Sequence, residues 1–177
     1  MNLISIAIDA QGASVVQPWH DAANADFVTL VDSQNILGTR YNLKAIPYGV
    51  MIDEAGRLVK APFSVNVQDQ KTVAMLEKWL SDPGYNAVLL NDIKSSSKPA
   101  VKTNAEAAAR FQLGLVLLES GKKEEAMAEW RKALALDPNN WIIHKQIWAV
   151  ENPDKFYDGD VDYGWQETQL EAEVSKP

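Results

Sequence analysis

The inventory of residues that could do chemistry in this chain is short. Its 177 residues include no cysteine, which removes disulfides, thiolate nucleophiles and thiolate metal sites together. The two histidines, His20 beside Trp19 and His144, have no second His or Cys nearby. Each therefore reads as a surface or half-buried side chain, not a metal ligand or general base. Ser95 to Ser97 lack a Lys or His arrangement suited to activating a hydroxyl and read as linker. Asp158-Gly159-Asp160-Val161-Asp162 opens like a calcium loop, but Tyr163 stands at the sixth position, where Gly is required, and Gln169 at the twelfth, where Glu is required. No glycine-rich phosphate loop is present, since Gly114 and Gly121 fall in a helical pattern. These residues lead us to expect no catalytic residue, no metal and no cofactor.

What remains are surfaces, and the elements that position them can be read in order. Leu3 to Ile8 is an apolar, β-branched run ending at Asp9, hence a buried strand. Ser14 is placed as the N-cap of a short helix running to Ala23, with Val15, Val16, Trp19 and Ala23 on one side. Phe27 to Val31 is the next strand, and Asp32 or Ser33 caps a short helix carrying Ile36, Leu37 and Tyr41. Lys44-Ala45-Ile46-Pro47 then leads into a buried strand, Tyr48 to Ile52. A turn at Asp53-Glu54-Ala55-Gly56, with Gly56 free to take a positive φ, returns the chain in a second strand. This alternation marks an α/β fold. Asp69 caps a helix carrying Val73, Leu76, Trp79 and Leu80, ended by Pro83-Gly84. Ala87 to Leu90 is an apolar plug. Residues 93–103 read as a polar linker, which divides an α/β domain (1–92) from helical material (104–152) and a tail (153–177). In that tail Phe156, Tyr157, Tyr163 and Trp165 anchor by packing, and the last residues fray.

Composition limits the partners. A net charge of -7 argues against nucleic acid or an anionic membrane surface. No apolar run approaches the ~20 residues of a membrane helix, and no signal peptide precedes the first strand. Localisation stays open: cytoplasmic if Met1 is the natural start, extracytoplasmic if a longer N-terminus exists.

Past the linker the pattern turns to helical hairpins. One helix carries Ala108, Phe111, Leu115 and Leu118. Gly121 breaks it, and a second runs from Lys122 to Leu136 with Ala126, Trp130, Ala133 and Leu134 inward. After Asp137-Pro138 a third helix carries Ile143, Ile147 and Trp148. Residues 107 to 140 resemble a tetratricopeptide repeat through Leu113-Gly114, Leu117, Ala126, Trp130, Ala133 and Pro138, although Arg110 stands where a bulky apolar residue is usual. Gly114 and Ala126 are small where two helices approach closely. The resemblance implies two uses for the hairpin. It packs on the α/β domain or on itself, or it docks a partner peptide through Phe111, Leu115, Leu118 and Asn139.

The first half also has a resemblance. Ile4-Ser5-Ile6-Ala7-Ile8-Asp9, Phe27-Val28-Thr29-Leu30-Val31-Asp32, and Tyr41-Asn42-Leu43-Lys44-Ala45-Ile46-Pro47 followed by Val50-Met51-Ile52-Asp53 and Gly56 are similar to the later part of a thioredoxin-like redoxin domain. The type is peroxiredoxin-related (AhpC/TSA) and TlpA/ResA. The resemblance implies that Ile46 and Pro47 form one wall of a redox site, with a cis proline, and that the cysteine-bearing strand and helix upstream of Ile4 are absent. It further implies that the absent strand lies between Ile4–Ile8 and Tyr48–Ile52. The chain would then close the gap, recruit a strand from another copy as a homo-oligomer, or remain open there. The expected architecture is thus an incomplete thioredoxin-like α/β fold followed by an all-α tetratricopeptide-like hairpin with a cap helix. The expected function is that of a bacterial redoxin portion, inactive alone for want of its Cys or Sec motif. The alternative is a non-catalytic module that binds a protein or peptide.

Overall fold

The computed structural model describes residues 2–95 and 104–174. The chain opens with strand β1 (Ile4–Ala7), helix α1 (Ala13–Ala22), strand β2 (Val28–Val31) and helix α2 (Ile36–Arg40). A hairpin of β3 (Tyr48–Ile52) and β4 (Leu58–Ser64) follows, then helices α3 (Gln70–Ser81) and α4 (Tyr85–Ser95). The second half is helical: α5 (Ala105–Glu119), α6 (Lys123–Leu136), α7 (Trp141–Glu151), α8 (Asp154–Tyr157) and α9 (Tyr163–Val174). Among the described residues, no helix is long and apolar enough to cross a membrane.

The strands form two separate pairs. β1 and β2 run parallel, with Ile4 beside Val28 and Ile6 beside Leu30. β3 and β4 run antiparallel, with Ile52 opposite Leu58. Local chemistry explains the turns. Asp53 accepts hydrogen bonds from the amides of Ala55 and Arg57, and Gly56 takes the positive φ its turn requires, 75°. The Asp32 carboxylate accepts from the amides of Ile36 and Leu37, both at 2.8 Å, and Asp69 accepts from Lys71 N at the start of α3.

Burial departs from the pattern expected of these strands. In β3 only Met51 is buried, and Tyr48, Val50 and Ile52 are exposed. Ile4, Ile6, Val28 and Leu30 present a shared exposed face, with Ile4 and Val28 more than half open, at 56% and 57%. The smaller or more polar Ser5, Ala7 and Thr29 lie with Val31 on the more covered face. The β-branched runs are therefore partly covered on one side and exposed on the other. A strand that belongs inside a doubly covered sheet carries apolar residues on both faces, and here one face lacks its cover.

Three local assignments also shift. Gly12, at φ 83°, stands at the N-cap of α1, so Ser14 lies inside the first turn. His20, not Trp19, turns inward toward Phe27, and Trp19 is exposed. Leu80 points to solvent. The apolar plug is part of α4, which places Leu89 against Met51 and Val59 in a small core. α4 reaches Ser95, over the first positions assigned to linker, and 96–103 lie outside the described residues. The tail from Asp154 to Val174 is two helices, and the fraying expected beyond 174 also lies outside the described residues.

The large core sits in the helical half. Phe111, Leu115, Met127, Trp130, Ala133, Ile142, Ile143, Ile147 and Trp148 form one buried cluster, against which Ile8, Ala10 and Leu43 of the α/β half also pack.

Candidate functional site

The hairpin of α5 and α6 is organised by one large side chain against one absent one. Trp130 is fully buried, its indole N–H donates to the Phe111 carbonyl at 3.1 Å, and its ring lies 5.6 Å from that of Phe111. A Cβ on Gly114 would stand 2.3 Å from the Trp130 ring and 3.0 Å from the Ala126 carbonyl. The pairing of a glycine on α5 with a tryptophan on α6 therefore sets how closely the helices approach. At the end of α5 the chain turns at Gly121, φ 76°. Asn104 caps α5 by accepting from Ala107 N.

The residues expected to bind a partner are divided by the structure. Phe111 and Leu115 are 3% and 6% exposed, so they form the core of the hairpin and offer no surface. Leu118 is half-buried and Asn139 exposed. The physical reason is that the groove is already filled. Ile143 and Ile147 of α7 belong to the same buried cluster as Phe111 and Leu115, and Leu43 of the α/β half packs on that cluster. Polar contacts fasten this arrangement. Gln112 on α5 donates to the Gln34 carbonyl at 2.9 Å, and Lys44 pairs with Asp137 after α6.

A second seam joins the exit of β1 to α7. Gln146 accepts from Ala10 N at 2.8 Å and donates to the Ile8 carbonyl at 3.4 Å. Asp9 accepts from the Tyr157 hydroxyl at 2.7 Å, and Gln11 donates to that hydroxyl at 2.9 Å and to the Ala149 carbonyl. Burial raises the Asp9 carboxyl above its ordinary value, opposed by the Tyr157 and Gln11 hydrogen bonds. Burial and the neighbouring Asp9 charge push the Tyr157 hydroxyl upward as well. The sequence marked Tyr157 as a tail anchor but held no signal for its partner, Asp9, 148 residues away.

The tail closes over α7 through an aromatic stack in which Trp148 meets Trp165 edge-on at 6.1 Å and Trp165 meets Phe156 at 6.2 Å. His144, expected at or near the surface, is 5% exposed. Its Nε2 lies 2.8 Å from the Pro138 carbonyl. Its Nδ1 lies 2.8 Å from a Glu173 oxygen, off the hydrogen-bonding axis. Trp148 Nε1 donates to the other Glu173 oxygen at 2.7 Å. Asp162, from the segment resembling a calcium loop, caps α9 through Trp165 N. Among the described residues no group of three His, Asp or Glu could hold a metal ion.

Ile46 and Pro47 are exposed and joined by a cis peptide bond. The Pro47 carbonyl accepts from Val65 N, closing the open end of the β3–β4 hairpin. Ile46 borders a cavity of about 270 Å³. Ile8 and Ala45 line it from the α/β half, and Trp141, Ile142, Lys145 and Gln146 from α7. Tyr163, Gln166 and Glu167 of α9 complete it. Nothing in the sequence brought the Ile46 turn and α9 together.

No curated protein and no solved structure matches the chain. One family model matches, the tetratricopeptide repeat, over residues 107–140. The hairpin of α5 and α6, with its Gly114–Trp130 contact, is thus similar to one unit of a repeat that commonly mediates contacts between proteins.

Proposed function

We propose that this chain is a protein-binding module without a catalytic centre of its own, with the tetratricopeptide-like hairpin as its platform. The repeat match over residues 107–140 carries this reading. The geometry gives it direction. With Phe111 and Leu115 enclosed, a partner meets other surfaces: Leu113 and Val116 on the outer side of α5, and the row Ile4, Ile6, Val28 and Leu30. Single apolar side chains on a surface need no partner, whereas neighbouring ones in register on one sheet face mark an interaction site.

Site-specific photo-crosslinking in cells tests this. A benzophenone side chain at Ile6 or Val116 is expected to give a discrete adduct, and one at Glu124 on the polar side of α6 is expected to give none. An adduct of twice the chain's mass identifies a second copy as the partner. Absence of adducts at both Ile6 and Val116 refutes the module reading.

A second reading concerns ancestry, with the α/β half as an incomplete thioredoxin-like redoxin domain. It is favoured by the division of the strands, since among the described residues β1 pairs only with β2 and β3 only with β4. A missing central strand would leave that pattern. On this reading Ile46 and Pro47 are the remaining wall of a redox site, and the chain reduces no disulfide by itself. Insulin reduction with dithiothreitol is expected to stay at the no-protein blank. DNA upstream of the Met1 codon, translated through any UGA, is expected to encode a strand and helix bearing Cys or Sec. Unrelated sequence there removes the redoxin reading.

A further inference from the structure

The cavity between Ile46, α7 and α9 has walls of two kinds. Ile8, Ile46, Trp141, Ile142 and the Tyr163 ring make it apolar. Two residues among them carry hydrogen-bond donors without an acceptor among the described residues, one buried and one half-buried. Gln166 is 3% exposed, and its buried Nε2 has no partner, an arrangement that costs roughly 1–3 kcal/mol when nothing answers it. Lys145 is half-buried, with its ammonium 6.0 Å from the centre of the Tyr163 ring. Among the described residues no carboxylate forms an ion pair with Lys145. Burial holds its ammonium below the ordinary lysine value of 10.5, as expected of a cation that has given up part of its water without gaining an anion. Gln146, the other amide in the wall, is already engaged with Ala10 and Ile8. Glu167, also lining the cavity, is exposed and stays hydrated at its rim.

An apolar pocket with a small number of convergent polar groups is the ordinary form of a ligand site. At about 270 Å³ this one falls below the roughly 300–1,000 Å³ that drug-sized ligands occupy, so its occupant has the bulk of about one amino-acid residue. We infer that the cavity binds an apolar carboxylate, its carboxylate oxygens accepting from Lys145 Nζ and, with the amide turned to face the cavity, from Gln166 Nε2, and its hydrocarbon lying between Ile46, Trp141 and Tyr163. A free acid and the C-terminal residue of a polypeptide share this chemistry. The site stands independently of the partner surfaces proposed above.

N-acetyl-L-leucine and its carboxamide, titrated into the full chain by NMR, are the probes. The acid is expected to bind at least about tenfold more tightly than the amide, a difference of about 1.4 kcal/mol, and to shift the Gln166 side-chain amide and the Ile46 methyl signals. Lys145→Met lowers the acid to the level of the amide, and Lys145→Arg retains the preference. Gln166→Leu weakens both ligands, because both carry an acceptor. Glu167→Gln tightens the acid alone by removing the charge at the rim. Equal binding of acid and amide to the unaltered chain, or acid binding weaker than about 10 mM, overturns the inference whether or not the variants fold. A pentapeptide ending in leucine, compared with its C-terminal amide, separates the sources. A free-acid peptide that outcompetes N-acetyl-L-leucine assigns the site to polypeptide C-termini, and one that does not assigns it to a free carboxylic acid.

Discussion

Replacing Gly114 with alanine sets two effects of opposite sign against each other, and the structure decides between them. In the middle of a helix the change is normally favourable by about 1 kcal/mol, because alanine loses less backbone entropy. At this position the new Cβ would stand 2.3 Å from both Cδ1 and Nε1 of Trp130. That ring cannot retreat easily, since it is fully buried and its N–H is held by the Phe111 carbonyl. Overpacking a closed core costs about 1–3 kcal/mol, and displacing a buried indole N–H from its acceptor costs up to about another 1–3 kcal/mol. The net expectation is a loss of roughly 1–3 kcal/mol, or a fall in Tm of roughly 2–12 °C at 2–4 °C per kcal/mol for a chain of this size. Thermal melts followed by circular dichroism measure the loss, and tryptophan fluorescence reports the ring's displacement. Gly121→Ala is the comparison. Gly121 has open space around it and φ 76°, so alanine there brings only backbone strain. Combining each change with Trp130→Phe completes the argument, because the smaller ring relieves Gly114→Ala by about 1 kcal/mol or more and leaves Gly121→Ala unrelieved. A Gly114→Ala chain as stable as the parent, or one with no coupling to Trp130, refutes the close-approach reasoning.

Three further outcomes are expected. Asp9, raised by burial, holds its proton more tightly in the folded chain than in the unfolded one. The stability it contributes is therefore fully present below 3.8 and is lost as pH rises through the higher folded value. Urea midpoints of the parent are expected to fall relative to Asp9→Asn as pH rises above 3.8, and parallel pH profiles refute this. Gln146→Leu leaves the Ala10 amide without its acceptor and is expected to cost about 1–3 kcal/mol, with faster hydrogen exchange at Ala10. Unchanged exchange there would show that Gln146 does not hold β1 to α7. Asp162→Ala removes the acceptor for Trp165 N at the start of α9. It is expected to cost about 1 kcal/mol, read in the near-ultraviolet signal of the Trp148–Trp165 pair, and an unaltered melt refutes it.

What local chemistry dictates was legible in the residues alone. Helical spacing placed α5, α6 and α7, and the small residues Gly114 and Ala126 marked the crossing later met by the family match. Gly56 and Asp53 defined the β3–β4 turn, and Asp69 the start of α3. Each depends on neighbours within a few positions, which a sequence displays directly. Tertiary structure alone decided which apolar residues are surface and which are core. Phe111 and Leu115 carry the same pattern whether a groove is open or filled, and here they lie in one cluster with Ile143 and Ile147, against which Leu43 packs. Ile4 and Val28 read as buried because β-branched runs usually are, yet burial needs a covering layer that no local pattern can supply. The cavity belongs wholly to this second kind. Ile46, Lys145 and Gln166 lie far apart in the chain, and their convergence follows from β1 docking on α7 through Gln146 and from α9 folding back through Trp165. The residues alone thus established the strands, most of the helices and the repeat-like hairpin, because short-range geometry determines them, and left α4, α8 and α9 to the structure. The docked arrangement and its candidate ligand site came only from long-range packing, where the free energy of a contact depends on what covers it.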